Sequence, residues 1–489
     1  MADAPTEPAD PSSLRDSGLA ERVAGWLDAV PAIGVGLVLV GLAAAAYWLP
    51  GSDRLYNHFV WQAEAFLHGQ AMIQYPVQPS AAGPGDAYFQ DVYPVHDASG
   101  QVIGALLPFP PLPAIVLLPF VAIWGLATDH RAVSVALGAI DVGIAWWMLG
   151  RLAVSRRIRL ATTVFFAFGT VFWYAAQLGT TWFFAHVVAV TCALLSVGVA
   201  LGGDPRADEP VERPPSAGSL ADSAVAVLRA PGRLIDRRQL AAGLLFGLAC
   251  TARLTVVFGA PFLLFVGSGG SWLRRAVSAA VGTALPVGLL LAYNVATTGH
   301  VFHPGYEYQY EIEARGYPSL GYHADWSIED LRYLPQNLVI MLFEPPMLLP
   351  DTSPSSVAPQ AVCQPPDTSR GLFDSACPIA TPRDVGMSII LTSPAYLLLL
   401  PALLRRRSRL VAGAAIAVGA IAFVNLLHFS QGWVQFGYRF SNDFVPFALP
   451  LVAVGMARRN GVGLLGIGLI AISIAVNLWG VIWGNVLGW

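Results

Sequence analysis

Residues 30–58 read VPAIGVGLVLVGLAAAAYWLPGSDRLYNH. From Val30 to Leu49 there is no charge, and a helix rising 1.5 Å per residue needs about 20 such residues to cross a hydrocarbon core about 30 Å thick. Pro50-Gly51 then stops the helix, and Ser52-Asp53-Arg54 opens a segment of different character. The residues before this run are polar and Pro-rich. An apolar stretch this long, with no small-residue cleavage site, is an uncleaved anchor rather than a signal-peptide core. It predicts a cytoplasmic tail over residues 1–29.

The same apolar pattern recurs at 106–126, 132–150, 160–178, 182–201, 239–252, 254–267, 276–296, 386–404, 410–429, 445–457 and 461–483, with Asp141 the one embedded acid among them, and a weaker, proline-containing window lies at 334–349. The expected fold is an all-α integral membrane protein, a polytopic bundle of about 11–13 transmembrane helices over 30–485. Composition agrees: 55% of the 489 residues are hydrophobic and 12% charged, with a mean hydropathy of +0.57. Soluble domains are roughly 25% charged, so a soluble globule is excluded. A net charge of -3 also excludes a nucleic-acid binder held by a basic field. All 28 basic residues are Arg. Without Lys the chain has neither a Schiff-base amine nor a Walker A motif.

The Arg clusters at 151–159, 229–238, 274–275, 405–409 and 458–459 mark the expected cytoplasmic side. Opposite them fall 50–105, 297–332, 351–384 and 430–444. Parity conflicts once: two full spans between 106 and 150 would leave Arg151, Arg156, Arg157 and Arg159 outside. Either one window between 106 and 201 is re-entrant or partial, or 239–267 is a single kinked span and this cluster breaks the rule.

The loops differ in kind. Residues 50–105 are rich in Tyr, Pro, Asp and His, and their aromatics predict an ordered first extracytoplasmic loop with juxtamembrane helices, one of them over 55–68. Residues 202–238 read as a flexible cytoplasmic linker. Residues 297–384 form a second outer region with an interfacial helix. There Cys363 and Cys377 are expected to form a disulfide, while Cys192 and Cys250 lie in apolar helices as small hydrophobes. No CxxC spacing suggests a metal or redox centre.

Ionisable groups beside apolar helices are functional candidates. Asp53, at the outer mouth of the first helix, suits a general base; its alternative is a helix-end residue paired with Arg54. Asp91 is a second carboxylate of the same loop, able to assist that base, bind sugar hydroxyls or cap a loop. His58 faces Trp61 on the juxtamembrane helix and is a substrate-binding candidate, a metal role being weak. Arg439, in Phe436-Gly-Tyr-Arg-Phe-Ser-Asn-Asp443, can grip a phosphate bidentately. Tyr438 and Asp443 accompany it as binding candidates. The alternative for Arg439 is a salt bridge to Asp443. Arg253, between two apolar runs, either meets an anionic ligand or pairs with the embedded Asp141. Aromatics interleaved with His303, Glu307, Glu311, Glu313 and His323 suit carbohydrate or the membrane interface alike.

Three motifs in order resemble the GT-C superfamily of polyprenyl-phosphate-sugar-dependent integral membrane glycosyltransferases, mannosyltransferase-like or aminoarabinose-transferase-like. They are Asp53 just past the first helix, Pro110-Pro-Leu112 opening a later window, and Gly437-Tyr-Arg439 followed by Asp443 and Pro446. The resemblance covers roughly 30–485. It implies a lipid-phosphate sugar donor, a glycan, lipid or protein acceptor, surrounding membrane lipid and an inverting transfer. It implies Asp53 as the base and Arg439 as a phosphate contact. Many members carry an acidic pair after the first helix, whereas Arg54 follows Asp53, so Asp53 acts alone or with Asp91. No large soluble domain follows the last window, which sets aside oligosaccharyltransferase-like members and their metal-dependent mechanism. No cofactor is expected, with a divalent metal left open. The competing function is a transporter or flippase of lipid-linked or anionic substrates, which often shows two related halves; no internal repeat is visible. An assembly partner without activity is the third reading.

Overall fold

The structure is a computed structural model and describes residues 30–49, 56–74, 91–205, 207, 235–366, 368–405, 408–457 and 462–489. In chain order the elements are α1 (Ala32–Trp48), α2 (His58–Leu67), β1 (Ile73–Gln74), β2 (Tyr93–His96), β3 (Val102–Leu106), α3 (Leu112–Trp124), α4 (His130–Leu149), α5 (Arg156–Gly169), α6 (Phe172–Leu178), α7 (Thr181–Gly202) and α8 (Arg237–Cys250). A 3₁₀ turn at Leu254–Gly259 precedes α9 (Pro261–Phe265), followed by α10 (Trp272–Thr298), α11 (Gly305–Gly316), α12 (Leu334–Leu342), β4 (Met347–Leu348) and β5 (Ala380–Thr381). The chain closes with α13 (Ile389–Thr392), α14 (Leu399–Arg405), α15 (Arg409–Leu427), α16 (Ser441–Met456) and α17 (Leu464–Val486). Several helices start on a capping side chain: Asp129, Ser155, Asp236, Ser271 and Ser408 each accept from backbone N–H groups of the first turn.

Hydrogen bonds between segments sort the helix ends into two groups. At one end Arg156 bonds Val30 O, Arg159 bonds Trp146 O and Arg238 bonds Gly202 O. The Gln239 amide reaches Leu263 O and Val266 O there, and Arg409 ties Phe265 O to Asp204. This is the Arg-rich end. At the other, Arg131 bonds Trp48 O and Gln177 O, Thr181 N bonds Tyr56 O, Leu112 N bonds Thr251 O, and Gln62 bonds the Tyr293 hydroxyl. This is the loop end, from which residues 299–385 also emerge.

These ties resolve the parity conflict. The chain enters α3 at Leu112, beside Thr251, and leaves it just before Arg131, so both termini of α3 lie at the loop end. The window 106–126 is therefore not a span, contrary to expectation. Pro111 caps the helix, Pro113 stands in its first turn and Pro119 sits inside it without a donor for the helical ladder. It packs instead beside α2 at the interface, with Ile123 70% exposed. Its apolarity suits lying in the interface as well as crossing it. Residues 239–267 are a tight pair, not one kinked span: Gln239 and Val266 meet at the Arg-rich end and the turn at 251–253 reaches the loop end. The window 160–178 is one pass broken into α5 and α6, bent by 52°. The window 334–349 is helical only over α12 and stays at the loop end, where the Asn337 amide bonds Leu426 O.

The first outer loop holds one feature outside an all-α expectation. Its strands form an antiparallel sheet in the order β1-β3-β2, with Tyr93 opposite Leu106. Asp97 Oδ1 accepts from Ser99 N and Gln101 N, and Gly100 takes φ 83°, closing the hairpin.

The flanks of the bundle are apolar and uncovered: Ile33 is 75% exposed and Leu289 64%. Such surface belongs in lipid, and the protein is a multi-pass membrane protein. Without a hydrophobic drive between helices in lipid, close packing of small residues holds them together. Gly243 and Gly247 of α8 do this against α10. A Cβ at Gly243 would lie 2.2 Å from Ala279 O, and one at Gly282 would lie 2.2 Å from Leu240 O. Gly243→Leu is therefore expected to cost about 1–3 kcal/mol through overpacking, read as a lower unfolding midpoint in detergent.

Candidate functional site

At the start of α16, Asp443 is fully buried and every neighbour turns toward its carboxylate. Arg253 Nε and Nη2 each donate at 3.1 Å, one to each oxygen. The Thr255 hydroxyl donates at 2.7 Å, the Asn425 amide at 3.3 Å, and His186 Nδ1 lies 2.9 Å from Oδ1. These residues come from α7, the turn after α8, α15 and α16, so the cluster joins four segments. Arg253 and Asp443 are thus each other's partners. That corrects the pairing of Arg253 with Asp141, which is buried on α4 beside Thr191. It also corrects the pairing of Arg439 with Asp443. Four-residue spacing joins side chains only on a helix, and Arg439 lies in the turn before α16.

Arg439 is left facing elsewhere. Gly432 takes φ 95°, and a Cβ there would stand 2.7 Å from Arg439 Nε, so the glycine makes the space for the guanidinium. The charge sits 5.6 Å from the Phe183 ring centre and 5.4 Å from that of Phe440, which Arg253 approaches to 5.3 Å. Arg439 Nε is buried with no hydrogen-bond partner among the described residues.

Within electrostatic reach of Arg439 is Asp91. Its backbone holds φ 61°, a left-handed conformation uncommon outside glycine. Trp182 Nε1 donates to Asp91 Oδ2 at 2.8 Å. Gln309 and Glu313, four residues apart on one face of α11, lie close enough to this carboxyl to influence its ionisation. Burial raises the Asp91 pKa, while Gln309, Trp182, Glu313 and the Arg439 charge oppose the rise. Burial, then the negative charge of Asp91, pushes the Glu313 carboxyl up to about 8.

A small cleft is lined by Phe109, Pro110, Thr181, Trp182, Arg253 and Tyr306, and so touches Asp91 through Trp182 and Asp443 through Arg253. The Pro-Pro-Leu motif thus reaches the site through Pro110. His58 supports the cleft from behind: its Nδ1 is 2.8 Å from Thr181 Oγ1 and its ring packs 6.1 Å from Trp182. Tyr438, expected as a binding residue, is a buried core side chain whose hydroxyl donates to Gln431 Oε1 at 2.8 Å. The left-handed turn at Gly437, φ 69°, places it on the core side. Asp53 lies outside the described residues. Cys363 and Cys377 are joined in a disulfide within the 351–384 segment. Among the described residues no group of three His, Cys, Asp or Glu side chains could hold a metal ion.

The sequence candidates missed Gln309, Glu313 as a site residue, and Trp182. The i, i+4 spacing of Gln309 and Glu313 was visible, but only the tertiary fold brings that face onto Asp91.

No family model and no curated protein matches the chain. Solved structures do. ArnT from Cupriavidus metallidurans bound to undecaprenyl phosphate aligns over 91% of this chain and 64% of its own, at 14% identity and a TM-score of 0.46. The oligosaccharyltransferase of Archaeoglobus fulgidus tethered with an acceptor peptide aligns over 92% and 55%, at 11% identity and 0.44. AglB from the same organism, in complex with an inhibitory peptide and a dolichol-phosphate, aligns over 93% and 55%, at 12% identity and 0.44. The chain spans less than two thirds of the length of each of these proteins, and the alignments assign no residue a role.

Proposed function

We propose that this protein is a membrane glycosyltransferase that moves a sugar, hexose or pentose, from a polyprenyl-phosphate donor to an acceptor hydroxyl on a glycan, lipid or protein. The observation that carries the proposal is Arg439, a guanidinium with an unbonded buried Nε beside a pair of carboxyls, at the loop end of a lipid-exposed bundle. An anionic headgroup on an apolar tail suits both surfaces. With the Arg-rich end in the cytoplasm, the site opens on the extracytoplasmic side.

In the reaction, the prenyl chain stays in lipid while Arg439 holds the phosphate. A first-loop carboxylate, Asp53 by the family resemblance with Asp91 as its partner, takes the proton of the acceptor hydroxyl. The acceptor oxygen bonds to the anomeric carbon as the bond from that carbon to the phosphate oxygen breaks, with inversion, releasing polyprenyl phosphate. The energy comes from the sugar–phosphate bond, so no nucleotide is needed. Arg253 acts indirectly, fixing the wall of the cleft through Asp443.

The test is release of polyprenyl phosphate from polyprenyl-phosphate-linked sugars by purified protein supplied with envelope acceptor extract. Arg439→Ala should weaken donor affinity about 10- to 100-fold, the loss of a charge-assisted contact, with a smaller change in turnover. Unchanged donor affinity would remove Arg439 from the site. Movement of the lipid across vesicles without cleavage would instead establish a flippase.

A further inference from the structure

A second cavity, of about 220 Å³, lies at the loop end, with Ser353, Ser355, Asp384, Trp433, Leu487 and Trp489 in its walls. α17 ends there: Trp483 Nε1 donates to Leu372 O at 3.2 Å, and the chain turns back as Trp489 N bonds Gly484 O at 2.9 Å. We infer that this cavity is the acceptor subsite and seats one ring of a carbohydrate, so that the acceptor is a glycan. The inference rests on the glycosyl transfer proposed above.

A sugar ring has an apolar face of C–H groups and a rim of hydroxyls. It suits a site that pairs a fixed aromatic surface with a few placed polar groups. Trp433 is such a surface. Its Nε1 donates to Asp384 Oδ2 at 2.7 Å, and Tyr317, at the end of α11, packs with ring centres 5.2 Å apart. Asp384 is buried and itself held: Ser356 N donates to the same oxygen at 2.8 Å, and the Ser356 hydroxyl donates to the other. Gln435 N donates to Asp384 O at 3.2 Å, which ties this carboxylate to the loop carrying Trp433. An indole pinned at its edge loses little further freedom when a ligand stacks on its face. Val434, the next residue, holds φ 51°, an outlier for a β-branched side chain, and backbone strain of this kind is retained at binding sites.

The polar groups are placed to donate. Ser353 Oγ accepts from Gln360 N at 3.0 Å and Ser355 Oγ from Ala358 N at 3.1 Å, so each hydroxyl keeps its proton for a sugar oxygen. Other ligands fit less well. Among the described residues no Arg lines the cavity, so a phosphate would meet Asp384 without a counter-charge. A metal ion would have to break the three hydrogen bonds that Asp384 accepts. The volume is below the roughly 300–1,000 Å³ of pockets that enclose drug-sized ligands, which suits a single ring with the rest of the glycan in water. Position links the cavity to transfer. Trp433 follows Gly432, where a Cβ would stand 2.7 Å from Arg439 Nε. One loop thus offers an aromatic face to the cavity and, one residue earlier, touches the guanidinium assigned to the donor.

The experiment reads saccharide binding by saturation-transfer NMR in the full-length detergent-purified protein. The probes are methyl α-D-mannopyranoside, methyl β-D-galactopyranoside and methyl α-D-arabinofuranoside. Saturation is expected to reach the ring C–H protons of at least one probe. Trp433→Ala should weaken its affinity about tenfold or more, the effect of removing a buried aromatic anchor. Trp433→Phe, which keeps a flat ring, should retain most of it. If Trp433→Ala fails to fold, Trp489→Ala should show the same loss. In the polyprenyl phosphate release assay, Trp433→Ala should raise acceptor KM by a similar factor and leave donor KM unchanged. No transfer to any probe would make the tryptophans interfacial anchors and overturn the subsite. Affinity kept in both alanine variants, or an unchanged acceptor KM in Trp433→Ala, would overturn it as well. Saccharide binding by a protein that releases no polyprenyl phosphate from any donor would instead overturn the transferase reading.

Discussion

Asp443→Ala is expected to destabilise the protein by about 3–5 kcal/mol, because it leaves the Arg253 guanidinium facing His186 with no carboxylate between them. The loss has two parts. The Arg253 charge loses its bidentate partner, and Thr255 and Asn425 lose their acceptor. Since the cluster joins four segments, its loss should loosen α15 and α16 together. The measurement is the unfolding midpoint in detergent, with the amount of protein inserted in membranes as a second readout. Asp443→Asn should fall in between, since it keeps an acceptor oxygen but not the charge. If Asp443→Ala keeps wild-type stability and loses only donor binding, the cluster is a ligand site and not a structural ion pair.

Asp91→Asn is expected to slow transfer by about 10²–10⁴-fold, the usual range for removing a group that moves a proton in the reaction. The substitution is isosteric, and Trp182 can still donate to the amide oxygen, so folding should be retained. The left-handed backbone at residue 91 also suits asparagine, one of the few residues that tolerate it. Asp53→Asn should be assayed beside it and is expected to abolish transfer. Loss of activity in both variants supports an acid pair contributed by the first outer loop. Full activity in Asp91→Asn, with loss in Asp53→Asn, would reduce Asp91 to a loop-fixing residue and leave Asp53 as a lone base.

Glu313 also links the site to stability, with a definite sign. Its pKa is raised in the folded state, to about 8, from an ordinary carboxyl value in the unfolded chain. The folded protein therefore holds a proton that the unfolded chain has released. The contribution is fully present below the unfolded pKa and is lost as pH rises through about 8. Stability should therefore decline from the ordinary carboxyl range up to about pH 8 and level off above it.

What was legible in the sequence follows what is local. Hydrophobic windows located the helices because membrane burial acts on each segment by itself. They failed where a segment's ends matter more than its composition. The helix Leu112–Trp124 is apolar enough to span but begins and ends at the same face. Asp97 and Gly100 close a hairpin in a loop whose composition predicts only helices.

The site divided in the same way. Composition and motif order by themselves fixed a lysine-free membrane bundle and picked out Asp91, Arg253, Arg439 and Asp443 as charges needing an explanation. The partners were a matter of tertiary structure. Arg253 found Asp443 across 190 residues, and Arg439, freed from Asp443, was left to Asp91 and Glu313. A buried charge must be compensated, so the sequence shows that a partner exists. Which partner it is depends on a separation of a few ångströms between segments, and only the folded packing of α7, α11, α15 and α16 sets that distance.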